Sequence, residues 1–467
     1  MAYNLLPCDR EQSFLMPPSL KEWIKDGDLA WFVVDTVEQM DLGEFYAAYR
    51  SDGWGAAAYD PAMLIGVLLY AYCQGIRSSR KIERALERDI GFRVVAANQQ
   101  PDFRTICRFR AEREVALDHL FVQVLRLCHE AGLVKLGVVA LDGSKVAANA
   151  SLAANRSHGT LEAEVRQMLE EAKQVDAEED ALFGSKRRGD EMPDGLKRRT
   201  DRLKRLKEAK ARLEREAETV AEKARQRLEQ REAEEAITGK KKRGWKPKEV
   251  IPEPTDEARA NTTDPDSRIM KARQGYVQGY NVQTVVSQDQ IIVAVGVTQD
   301  ANDVKQLKPM LDTMERILDV AGIVERPRAA LADAGYWSEA NAATKVSSEL
   351  FIATTKDWQQ RKLLREQGCP RGRIPLHLSP KDLMERKLLT KRGQALYKMR
   401  GIVVEPVYGQ VKEHQGFRRF MRRGFNAASG EASLVATTHN LLKLWRSGRV
   451  PLSCSKYQYS ADSFCWN

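Results

Sequence analysis

The chain has 467 residues, 43% hydrophobic, 7% aromatic and 30% charged, with a formal net charge of +10. That length holds roughly three domains and a substantial core, and the composition excludes a membrane protein, a secreted disulfide scaffold and a collagen-like chain. The longest nearly apolar run, Met63 to Tyr72, is too short to span a bilayer.

Residues 1–25 mix acidic and basic side chains without an apolar stretch, so no secretory signal is expected there. The seven cysteines are odd in number and form no CxxC pair, which predicts reduced thiols, several of them in the core. The six histidines have no HxxxH or HxH spacing, so no Cys/His zinc site is expected.

Residues 1–135 read as helical. Pro61 follows Asp60 at a first helical position, and Met63, Leu64, Val67, Leu68 and Ala71 keep a 3.6-residue period up to Gly75. Ser78 or Ser79 would cap a second helix. Asp102 would cap a third, with Phe103, Ile106 and Phe109 inward and Arg104, Arg108 and Arg110 off that face. Two short helices before an arginine-bearing one resemble a helix-turn-helix; an ordinary helical bundle is the alternative.

Leu136–Leu141 predicts a strand ending at Asp142, and Val146–Ala150 a second short extended piece. From about Glu162 to Lys248 charged residues alternate with Ala and Leu. Leu203, Leu206, Ala209 and Leu213 there keep a helical spacing, predicting an antiparallel helical arm with a tip at Phe183–Gly195 and a basic linker at 239–248. Tyr276–Val286 and Ile291–Val297 predict a hairpin about Ser287–Gln290. A helix over 302–320, a strand at Ala329–Ala332 ending at Asp333, a helix capped by Ser338, a strand at Leu350–Ala353 and helices from Pro380 follow. The order predicts an α/β protein with a mixed sheet. Ser453–Asn467 has no assignable role.

The charge is unevenly placed. Between Arg361 and Arg449 there are 20 Lys or Arg and 6 Asp or Glu, a balance of +14, which leaves −4 elsewhere. Such concentration is the footprint of polyanion binding, although a solvated basic face would look the same. Arg418, Arg419, Arg422 and Arg423 interleave with Phe417 and Phe420, a spacing that predicts apolar anchors on one helix face with arginines flanking them.

Asp142 and Asp333 both follow buried strands. Acids from neighbouring strands can share divalent cations suited to phosphodiester chemistry, although each alone is equally a turn cap. Glu405 is the best third acid. If a helix starts near Pro406, Glu405 lies at its N-terminus and shares a face with Tyr408 and Lys412; there it could instead simply complement the dipole. Asp264, Asp266, Asp300, Asp303 and Glu413 compete for the role.

These residues carry a resemblance. Asp142 in ALDGSKVAANAS, Asp333 in ALADAGYWSEAN and Glu405 in YKMRGIVVEPVYGQVK resemble the three motifs of bacterial insertion-sequence transposases of the DDE type. The last is similar to the Y-R-E-K signature of one branch, here Tyr397, Arg400, Glu405 and Lys412, with one extra residue between Arg400 and Glu405. DPDSR at Asp264–Arg268 and GYNVQ at Gly279–Gln283 are similar to this group too.

The resemblance spans about 45–445. It implies an RNase H-like catalytic domain with a mixed five-stranded sheet over 136–155 and 260–450, interrupted by the charged helical insertion at 156–259. A helical DNA-binding domain at 1–135 precedes it, and a tail at 451–467 follows. It also implies two Mg2+ ions, or Mn2+ in substitution, held by Asp142, Asp333 and Glu405. Water would cut a transposon end, and the freed 3′-hydroxyl would join target DNA. Tyr397, Arg400, Lys412, the four arginines at 418–423, Arg104 and Arg108 would contact DNA. Trp337 would pack against the sheet or stack on a displaced base. The implied partners are transposon-end and target DNA and a second copy of the chain, with no membrane, in the bacterial cytoplasm at the nucleoid. An inactive or domesticated relative that binds DNA without cutting is the alternative; a structural coiled-coil protein fits only the arm.

Overall fold

The computed structural model describes residues 19–49, 57–168, 170, 194–239, 250–272, 275–369, 371–372, 375 and 377–449. The expected arm tip up to residue 193, the basic linker from 240 and the C-terminal tail lie outside them, as do Cys8, Cys454 and Cys465. The chain divides into two compact units, one of residues 1–134, 320–323 and 434–467, the other of 135–319 and 324–433.

The first unit is helical. Its elements are α1 (Leu20–Trp23), α2 (Leu29–Glu38), α3 (Gly43–Tyr46), α4 (Pro61–Cys73), α5 (Ser79–Arg88), α6 (Ile90–Val95), α7 (Phe103–Glu112) and α8 (Glu114–Glu130). α4 is apolar nearly all round and is buried accordingly, with Asp60 accepting from Ala62 N at its start. Asp102 caps α7 as expected, its Oδ1 2.7 Å from Thr105 N.

Two readings change here. α6 intervenes between α5 and α7, so the helix-turn-helix spacing is lost; Asp89 caps α6, and its Phe92, Val94 and Val95 are buried. Arg110 does not lie off the core face. It is buried and donates to the Tyr72 hydroxyl at 3.1 Å and the Arg77 carbonyl at 3.0 Å. Arg104 and Arg108 are exposed. Cys73 and Cys128 are buried free thiols, whereas Cys107 is exposed.

The second unit is built on β1 (Val138–Ala147), β4 (Arg268–Ala272), β5 (Gly275–Ser287), β6 (Ile292–Thr298), β7 (Ala329–Ala332) and β8 (Glu349–Ile352); β2 (Asn155–Ser157) and β3 (Arg259–Asn261) form a separate two-stranded ladder. The main order is β6-β5-β1-β7-β8, antiparallel up to β1 and parallel beyond it. This is the expected RNase H-like mixed sheet. Among the described residues it has six strands rather than five, because the 13-residue β5 is long enough to pair β4 along Gly275–Gly279 and β6 along Asn281–Val286 on one edge.

The arm is α9, a helix over 158–168, and α10 (Asp194–Thr238), which already includes the Asp194–Gly195 expected in the tip. Leu206, Ala209 and Leu213 bury against Leu161 and Ala260, so the helical spacing read there is a packed seam. Lys210 reaches Glu162 at 3.6 Å and Arg202 reaches Glu164 at 3.4 Å, so the two helices run antiparallel.

The remaining helices are α11 (Leu307–Val320), α12 (Glu339–Ala342), α13 (Trp358–Gln367), α14 (Pro380–Leu389), α15 (Lys391–Gly409) and α16 (Phe425–Arg446), the last divided between the units at residue 434. Among the described residues no helix is long and apolar enough to cross a membrane.

Candidate active site

β1 and β7 pair in parallel through Val138–Ala329, Val139–Ala330 and Ala140–Leu331. Two residues further along each strand stand Asp142 and Asp333, side by side where the buried parallel pair ends. Asp333 follows its strand, as expected. Asp142 does not end its strand: β1 runs on to Ala147 along the long β5, with Asp142 opposite Thr284. The two extended pieces expected are one strand.

One guanidinium joins the acids. Arg400 Nη2 lies 3.0 Å from Asp142 Oδ1 and 3.8 Å from Asp333 Oδ2. Asp142 Oδ1 also accepts from Gly143 N at 3.0 Å, and Asp333 Oδ1 from Gly335 N at 2.7 Å. Burial raises the Asp142 carboxyl to about 6 against the opposing pull of Arg400, and the Asp333 and Asp303 charges add to the rise. Burial works against the Arg400 charge, but Asp142 and Asp333 outweigh it and hold its pKa above the ordinary value.

Asp303 is the acid that sequence reasoning left among competitors. Its Oδ1 accepts from Asn281 Nδ2 at 2.7 Å and Gln283 Nε2 at 2.6 Å. The Gln283 Oε1 in turn accepts from the buried Tyr336 hydroxyl. Two glycines make room for it. A Cβ on Gly143 would stand 2.5 Å from Asp303 Oδ1, and one on Gly335 3.2 Å from Asp303 Oδ2 and 2.8 Å from Asp333 Oδ1. The GYNVQ motif supplies Asn281 and Gln283 to this acid from one face of β5. The other competitors have structural partners. Asp264 accepts from the Tyr280 hydroxyl at 2.8 Å, Asp266 from Phe425 N at 3.0 Å, Asp300 from Gln306 at 3.0 Å, and Glu413 pairs with Arg418.

Glu405 is not at a helix start. It lies near the end of α15, with Pro406 inside the helix. Proline removes the N–H that Ile402 O would have accepted, and Gln290 Nε2 fills that place at 3.1 Å. Five residues of π-helix, Gln410–His414, follow. The expected shared face of Glu405, Tyr408 and Lys412 is therefore divided. The Tyr408 hydroxyl lies 3.0 Å from Asp142 O and 3.2 Å from Val282 O and accepts from Thr284 Oγ1 at 3.1 Å, fastening α15 to β1 and β5. Lys412 Nζ stands 5.6 Å from the Tyr408 ring centroid. Its pKa is lowered by burial, with the Asp142 charge opposing. Glu405 is exposed and lines a cleft of about 470 Å³ with Tyr397, Lys398, Arg400, Arg361 and Arg365.

The arginines at 418–423 are not on a helix. Residues 415–424 form a loop in which Phe417 and Phe420 are buried, their ring centroids 5.0 Å apart. Phe420 N donates to Ala147 O at 2.8 Å, so strand pairing replaced the expected helix. Arg419 Nε donates to Ala148 O at 3.1 Å and Arg423 Nε to Asn149 O at 3.2 Å. Arg418 pairs with Glu413, and Arg422 is half-buried. Trp337 is half-buried as well.

Among the described residues no three His, Cys, Asp or Glu side chains are gathered closely enough to clasp a metal ion as they stand. The donor chemistry nevertheless fits a hard divalent cation: carboxylate oxygens held on the backbone where the β1–β7 pairing ends, close enough together to share one protein cation.

The mixed sheet, with Asp142 and Asp333 where its central parallel pairing ends, defines the class of RNase H-like domains. Residues 18–112 match the family Transposase domain (DUF772), and residues 253–441 match the family Transposase DDE domain. Asp333 and Glu405 fall within the second match and Asp142 precedes it. The chain belongs to the DDE transposases of insertion sequences. No curated protein was found to match it, and no solved structure.

Proposed function

We propose that this transposase cuts insertion-sequence ends and joins them to target DNA by two successive in-line displacements at phosphorus, with Asp142, Asp333 and Glu405 as its catalytic acids. The observation that carries the reading is the meeting of Asp142 and Asp333 on one guanidinium. Asp142, Asp333 and Glu405 would hold two divalent cations, Mg2+ or in substitution Mn2+. When bound, the cations activate water or a 3′-hydroxyl and neutralise the leaving oxygen.

The protein's own residues orient the reaction. Tyr408 holds the Asp142 backbone to α15, which fixes the acid against that helix. Its hydroxyl, with pKa lifted well above the ordinary value by burial, stays protonated and serves as a strut. Lys412, Tyr397 and Arg400 of the Y-R-E-K set would hold the scissile strand, as charged and hydroxyl groups suit phosphate contacts. Arg104, Arg108 and the arginines at 418–423 would add contacts to transposon-end and target DNA. Residues 1–135 would serve as the DNA-binding domain, 136–155 with 260–450 as the catalytic domain, and 156–259 as an insertion. The assembly would be a homodimer on paired ends, working at the bacterial nucleoid.

The test is cleavage of duplex DNA carrying the sequence that flanks the gene, in Mg2+ or Mn2+. Asp142→Ala, Asp333→Ala and Glu405→Ala should each lower the rate at least about a hundredfold at DNA concentrations that saturate each variant. Cleavage by Asp142→Ala at the wild-type rate sinks the reading.

A further inference from the structure

We propose that Arg400 is the resident counter-ion of the acid pair, released by a DNA phosphate, so that cation loading of Asp142 and Asp333 is coupled to DNA binding. The inference rests on the reading above that these acids hold a cation. It concerns what occupies them beforehand.

Three observations carry it. First, one nitrogen of Arg400 reaches both acids, at 3.0 Å and 3.8 Å, so a positive charge already stands where a cation would bind. A guanidinium and a divalent cation repel, and both need the same carboxylate oxygens. Second, the Arg400 side chain is 15% exposed, and its Nε has no hydrogen-bond partner among the described residues. No second acceptor ties that nitrogen down. Third, Arg400 also lines the cleft of about 470 Å³ together with Arg361, Arg365 and Lys398, and these four cations outnumber its two carboxylates, Glu385 and Glu405. A net positive lining attracts phosphate.

The energetics follow from burial. A cation entering alone must displace Arg400 and leave a largely buried guanidinium without its acids, which is costly. A phosphate in the cleft supplies the anion that Arg400 loses. Metal and DNA would then each tighten the other by the same factor, as linkage requires. The acids would stay closed to metal until DNA arrives.

The experiment is a Mn2+ titration of the full chain, following the free-ion signal by electron paramagnetic resonance, with and without a short blunt DNA duplex. Without DNA, Arg400→Gln should bind Mn2+ about tenfold more tightly than wild type, because one charge-assisted contact no longer has to be broken. Arg400→Lys, which keeps the charge without the fork, should fall between them. The duplex should tighten Mn2+ binding in wild type and leave Arg400→Gln unchanged. Equal or weaker binding by Arg400→Gln, or equal tightening by DNA in both proteins, overturns the proposal. Melting curves check that Arg400→Gln folds, and Mn2+ should raise its melting temperature more than that of wild type. Asp142→Ala and Asp333→Ala separate the two levels. If they bind Mn2+ as wild type does, the reading of the acids fails. If they lose it while Arg400→Gln gains nothing, only the Arg400 proposal fails.

Discussion

Asp142 carries a stability cost that its chemistry requires. Its carboxyl is raised to about 6 by burial, so the folded state binds a proton more tightly than the unfolded chain does. Stability from this group is therefore fully present below the unfolded pKa near 4 and is lost as pH rises through about 6. Asp142→Asn keeps the shape and removes the charge. Without metal it should raise stability by about 3 kcal/mol at pH 7.5 and by nearly nothing at pH 4. Urea melts at the two pH values check this, and an equal effect at both would contradict it. Asp303 shows what local reading misses at this scale. Nothing in TQDANDV sets Asp303 apart from Asp300; only the folding of β5 beside it gives it Asn281 and Gln283. Arg110 misled in the opposite way, because its charge suggested solvent while Tyr72 and Arg77 O offered buried acceptors.

At the scale of elements, α15 holds a local conflict. Pro406 sits inside it, Gln290 answers the vacated Ile402 carbonyl, and a π-helical turn follows. Such conflicts persist where function needs them. Pro406→Ala would restore the helical N–H and should stabilise the protein by about 1 kcal/mol. It should also lower DNA cleavage, because Tyr408 and Lys412 would lose their register against Asp142. A calorimetric melt beside a cleavage assay reads both. The arm junction is a second element-scale feature. Glu216 pairs with Arg268 and, at 2.9 Å, with Arg212, whose Nη1 also donates to Pro265 O at 2.8 Å. Burial raises the Glu216 pKa, but the two arginines outweigh it and hold it below the ordinary range. Glu216→Ala would leave two facing guanidinium groups uncompensated. It should cost about 2 kcal/mol, discounted because Glu216 is partly exposed, and should expose α10 to limited proteolysis.

For the whole molecule, the +14 balance over Arg361–Arg449 is expected to dominate binding to the proposed DNA partner. Affinity should fall by about a thousandfold between 50 and 200 mM salt if at least six phosphates are neutralised. Fluorescence anisotropy with labelled duplex measures the slope, and a flat response would contradict phosphate-dominated binding. Arg419 and Arg423 should contribute less than their number suggests, because they already donate to backbone carbonyls.

Much of this molecule was legible without coordinates. Short apolar runs bounded by turn residues marked β7 and β8, alternation and a turn marked the β5–β6 hairpin, and caps marked α4 and α7. These are near-neighbour effects, set by periodicity and by side chains that bond their own backbone. What only the tertiary structure decided was pairing over long separations. A long β5 carried β1 past Asp142 and admitted β4. Strand contacts to Ala147 turned the arginine-rich segment into a loop, and the reach of Arg400 across α15 brought it to two acids from different strands. Those outcomes depend on which partner a segment meets, and the chain alone does not carry that choice in any short window.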